Sequence, residues 1–150
     1  MENSNAIEAL NNLSARAYDA EAGYKDAAEN VTNPKLKTIF EANSKQRYDF
    51  GHEIKDCISK LGGTPQKGRS LEGKAHQVWM DVRSAFTTND DAAILKEVNR
   101  GEEYALKAYD SALENIKIGT PEYDQIVAQR NQIRSIHDRT QSLEAIFENA

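Results

Sequence analysis

Three carboxylates and one imidazole stand where the chain otherwise repeats apolar residues at helical spacing. Glu21 lies between Ala17 and Tyr24, and Glu102 shares a face with Val98, Ala105, Leu106, Tyr109 and Leu113. Glu53 sits at the edge of a stripe beside Phe50 and Cys57, and His137 follows Ile133 by four residues. A carboxylate taken into a protein interior costs several kcal/mol unless it is paired or coordinated. When several such groups converge at one level of a helical bundle, they build a carboxylate-bridged metal centre. Glu21, Glu53, Glu102 and His137 are therefore candidate ligands for a divalent ion, with iron, manganese and zinc the chemically suitable choices.

Ligand count limits that reading. A complete di-iron centre of this kind takes one Glu from each of two helices and a Glu-x-x-His from each of the other two. No Glu-x-x-His is present: the residue three before His52 is Asp49, before His76 it is Gly73, and before His137 it is Arg134. Oxidase chemistry is not expected, and a single ion is what remains of the metal reading. The alternative needs no metal. Glu102 then pairs with Arg100, Arg130 or Arg134, or accepts a hydrogen bond from a tyrosine such as Tyr24. His137 joins that buried network, and Glu21 reaches solvent at the stripe boundary.

A further cluster lies in "KAHQVWMDV", where His76 precedes Trp79, the one tryptophan, by a single helical turn. It reads either as an interaction surface for a partner or as an amphipathic helix that seals the flank of a core with Val78, Val82 and Phe86. There is no Ser/His/Asp or Cys/His arrangement in supporting context, no Gly-rich phosphate loop and no paired Cys site. Cys57 is the only cysteine and reads as a small core residue. A catalytic role is not expected.

The elements that must position these groups are five helices. The first spans 5–31, opened by a capping box in "NAIE" with Glu8, and carries Ile7, Leu10, Leu13, Ala17, Tyr24 and Ala28. The second spans 34–62, with Asn33 as N-cap, Pro34 at its first position and Gly62 as a left-handed C-cap. Its stripe is Leu36, Phe40, Phe50, Ile54, Cys57 and Leu61. A shorter helix is expected over 70–87. The fourth, 90–117, is capped from "TTNDD", and the fifth, 121–148, from Thr120 with Pro121 opening it. The first and fourth helices end alike, in "YKDAAENV" and "YDSALENI", and an Xaa-Pro helix start follows each. The long helices therefore read as two similar αα-hairpins joined by a long connection: an all-α four-helix bundle in one domain over 1–150, with one crossover that carries the short extra helix.

A length of 150 residues suits a single core. The net charge of −5 and the scattered Lys and Arg leave no electrostatic footprint for nucleic acid. No apolar run is long enough for a membrane span, and "MENSNAIEAL" lacks the features of a secretory signal, so a cytoplasmic location is expected.

Several blocks also carry a resemblance. "GYKDAAENVTNPKLKTIF", "LGGTP", "HQVWMDVRSAF", "DDAAILKEVNRGEEYALKAYDSAL" and "HDR" together resemble a family of uncharacterised bacterial proteins, described as a ferritin-like four-helix-bundle domain of unknown function. The likeness runs from about Ala6 to Leu143. It implies a ferritin-like fold and a cytoplasmic bacterial protein, more distantly similar to rubrerythrins, whose bundle carboxylates and histidines serve iron and oxygen chemistry. The missing Glu-x-x-His pairs depart from that pattern. The expected function is a non-enzymatic structural, interaction or stress-associated role, acting as a homo-oligomer or with a protein partner and with no certain cofactor. The alternative is a metal-binding protein with a redox or storage role.

Overall fold

The computed structural model describes residues 3–66 and 90–148. Four helices make up the described chain: α1 Ser4–Asn30, α2 Pro34–Lys60, α3 Asp91–Leu113 and α4 Pro121–Glu148. No strand occurs among the described residues. The expected helix over 70–87 lies outside them, together with His76 and Trp79.

Local chemistry places the helix ends. Asn33 caps α2 by accepting from the amides of Lys35 (2.9 Å) and Leu36 (3.2 Å), and Pro34 gives up no hydrogen bond at the first position. Asp90 caps α3 through the Ala92 amide at 3.0 Å. Thr120 accepts from the Tyr123 amide at 3.2 Å ahead of Pro121. Gly62, at φ +85°, closes α2 while the Gly63 amide reaches back to the Ile58 carbonyl at 2.9 Å. The start of α1 differs from expectation. Asn3, not Asn5, is the N-cap, and its side chain makes no capping bond. Its Nδ2 instead donates to the Leu61 carbonyl at 3.3 Å, so the tie to the end of α2 replaces the capping box.

The helices pack as a ring in the order α1, α2, α4, α3. α1 lies along α2 and α3 along α4, forming two antiparallel hairpins; α1 also contacts α3, and α2 contacts α4. The α2 and α3 backbones make no close approach, so they occupy one diagonal of the bundle. At the start of α3, Asp91 accepts from the Thr32 amide (2.8 Å), the Thr32 hydroxyl (2.9 Å) and the Asn33 amide (2.9 Å). The beginnings of α2 and α3 are thereby held at the same end, and the two helices run parallel. α2 consequently finishes at the far end of the bundle from the point where α3 begins.

Two apolar clusters fill the ends of the bundle. One gathers Leu10, Leu13, Ile54, Ile58, Ile126 and Ile133, the other Tyr24, Leu36, Phe40, Ile94, Leu95 and Val98. Polar side chains stand between them.

Candidate functional site

The polar middle is built from residues that the helical repeat delivers to the core. On α2 the inward positions run Leu36, Phe40, Asn43, Arg47, Phe50, Ile54, in alternating steps of four and three, so Asn43 and Arg47 are carried inside by the same spacing as their apolar neighbours. Arg47 is 1% exposed and Glu102 of α3 is 0% exposed. Arg47 Nη1 donates to Glu102 Oε1 at 2.6 Å, and its Nη2 donates to Oε2, a two-pronged pair across the bundle diagonal. Only a long side chain bridges helices whose backbones do not meet. Each partner stands at the midpoint of its helix, with thirteen helical residues on either side of Arg47 and eleven on either side of Glu102.

Two tyrosines frame the pair. The Arg47 guanidinium lies 5.4 Å from the centre of the Tyr24 ring on α1, and the Tyr24 hydroxyl faces Glu102 and Asn43. Burial first, then the Glu102 charge, holds the Tyr24 phenol well above its ordinary pKa. Tyr109 is likewise raised, chiefly by burial. For Arg47, burial works against the charge, but the Glu102 carboxylate outweighs it and the guanidinium stays protonated. Beside the pair is a crevice of about 10 Å³ among Leu13, Ala17, Ala20, Tyr109 and Ile133, room for no more than about one water.

A second polar layer joins α2, α3 and α4. The Tyr109 hydroxyl donates to Gln129 Oε1 at 2.7 Å, and Gln129 Nε2 donates to the Phe50 carbonyl (3.3 Å) and to Glu53 Oε1 (3.2 Å). Gln125 donates to the same Glu53 oxygen. Between α3 and α4, the Thr140 hydroxyl donates to Asn99 Oδ1 at 2.6 Å, and Asn99 Nδ2 donates to the Thr140 carbonyl at 3.2 Å.

The four candidate ligands thus have separate surroundings. Glu102 is bound by Arg47, not by Arg100, Arg130 or Arg134; Arg100 pairs with Glu97, Arg130 with Asp110, and Arg134 is exposed. Glu53 is engaged by two glutamines. Glu21 is half-buried and lines the groove between α1 and α2, where the Ser44 hydroxyl donates to its backbone carbonyl at 2.8 Å. His137 is buried, with Nε2 3.5 Å from Glu103 Oε1 on α3 and no hydrogen-bond partner for Nδ1 among the described residues. No group of three or more His, Cys, Asp or Glu side chains gathers at metal-holding distance among the described residues. Cys57 is buried, and burial pushes its thiol up in pKa.

A family model described as "Domain of unknown function (DUF2383)" matches residues 5–115, well over half of the chain. The chain belongs to that family. The DUF2383 match takes in both members of the ion pair, Arg47 and Glu102, and stops short of α4, which supplies Gln125, Gln129, His137 and Thr140. No curated protein matches the chain. No described helix of this DUF2383 protein is long and apolar enough to cross a membrane.

Proposed function

We propose that this DUF2383 protein is a non-enzymatic, ferritin-like helical bundle of the bacterial cytoplasm, which works through protein contacts made by its outer faces. One observation carries the reading: the centre of the bundle, where a carboxylate metal centre would stand, is occupied by the Arg47–Glu102 pair. A permanent guanidinium supplies the positive charge that a metal ion would bring, and its fork uses both carboxylate oxygens. Two hairpins related by one long crossover, with α2 and α3 parallel on a diagonal, support the ferritin-like arrangement. Among the described residues, the crevice beside the pair is too small to hold a substrate.

The test is direct. Protein purified without chelator is loaded with iron, manganese or zinc and analysed for metal, and its mass in solution is measured by light scattering. The expected result is no stoichiometric metal, together with self-association or a stable complex with a second protein. One ion per chain that disappears in E102Q would overturn the reading, and so would a strict monomer with no partner.

A further inference from the structure

We propose that the Arg47–Glu102 pair is a pairing code, which makes each hairpin dock on the other kind of hairpin rather than on its own kind in a second copy. The need for a code follows from the sequence. The two hairpins are alike, ending their first helices in "YKDAAENV" and "YDSALENI" before an Xaa-Pro helix start. Their inner faces are lined with similar aliphatic residues, Leu10, Leu13, Ile54 and Ile58 on one and Ile94, Leu95, Ile126 and Ile133 on the other. Aliphatic surfaces of this kind are non-directional and discriminate poorly between partners. A four-helix bundle made from two copies of one hairpin is thus the obvious competitor to the native fold.

The charges break that symmetry. The α1–α2 hairpin carries a buried cation, Arg47, and the α3–α4 hairpin a buried anion, Glu102. Their position at helix midpoints matters here. A charge at mid-helix stays at mid-level when a hairpin is turned end for end. Two α1–α2 hairpins would therefore place one Arg47 at the level of the other in either orientation, and two α3–α4 hairpins would do the same with Glu102. Only unlike hairpins bury a neutral, hydrogen-bonded pair. Specificity of this sort rests on the penalty built into the wrong partner, more than on attraction to the right one.

The test uses two full-length copies with different affinity tags, unfolded together, refolded and captured through one tag; copies refolded apart and then mixed give the co-capture due to association of outer faces, which is subtracted. Replacing the pair by apolar residues, R47M/E102L, removes the code and is expected to raise co-capture several-fold over the unaltered chain. The charge-exchanged R47E/E102R restores opposite signs and is expected to return co-capture to the original level. If circular dichroism shows R47M/E102L unfolded, the neutral R47Q/E102Q carries the same expectation. The proposal is overturned if the uncharged variants capture no more second copy than the original, or if R47E/E102R captures as much as they do.

Discussion

Replacing Arg47 by Met keeps much of the side chain's volume and removes its charge, leaving Glu102 fully buried without its cation. Breaking a buried pair from one side costs about 3–5 kcal/mol, because the surviving charge has lost both water and partner. At about 2–4 °C per kcal/mol for a domain of this size, R47M should melt roughly 6–20 °C below the original. The loss should also depend on pH, and its sign can be worked out. In folded R47M the lone carboxyl is more readily protonated than in the unfolded chain, where it titrates near its ordinary value of about 4.3. A group raised in this way contributes stability below the unfolded pKa and loses it as pH rises through the folded one. From ~pH 7 down to ~pH 5 the deficit should therefore shrink by up to about 1.4 kcal/mol per pH unit, or ~2.7 kcal/mol in all. Urea unfolding of both proteins at both pH values, followed by circular dichroism, reads the difference. A deficit under about 1 kcal/mol at neutral pH, or one that grows on acidification, would refute the reasoning.

Three further outcomes are expected. Tyr24 and Tyr109 have folded pKa values above the ordinary tyrosine value, so the stability they confer is intact below about pH 10 and lost above it as the unfolded chain ionises first; near-ultraviolet absorbance should show them titrating only together with the loss of helical signal. Gly51→Ala should destabilise by about 1–2 kcal/mol, although Ala usually improves a helix, because its Cβ would fall 2.6 Å from the Tyr18 ring wedged beside Tyr48, His52 and Lys55; thermal melts of G51A and G51A/Y18L should show the second change recovering the loss. Asp91→Ala removes three hydrogen bonds to Thr32 and Asn33 and should cost about 1–3 kcal/mol, with hydrogen exchange of those two amides accelerating first.

Apart from the start of α1, the ends of the four described helices were legible in the sequence because their signals are local. Asn33-Pro34, Asp90, Thr120-Pro121 and Gly62 end or begin helices through groups one to four residues away. Glu102 was legible as an inward carboxylate from its place on an apolar face, but its partner was not. Arg47 and Asn43 occupy core spacing between Phe40 and Phe50, and a reading confined to apolar residues passes over them, as it passes over Gln129 between Ile126 and Ile133. The usable signal was the repeat itself, whatever residue filled it. Which Arg meets Glu102 depends further on which helices share a diagonal, and this is a property of the ring order that periodicity does not encode. His137 shows the same limit: its spacing gives burial, while the neighbour of its Nε2 is set by how α3 and α4 are placed side by side.

The diagonal crossing has a kinetic meaning. Contacts within each hairpin join residues close along the chain, so either hairpin can form at little loop-closure cost. Contacts between hairpins span the long connection from the far end of α2 to the start of α3, so their closure costs more chain entropy and is expected later. On that order Arg47 and Glu102, both buried in the final bundle, shed their water together in one late encounter. The rate-limiting step of folding is expected at that encounter, and stopped-flow refolding of R47M against the unaltered chain reads it.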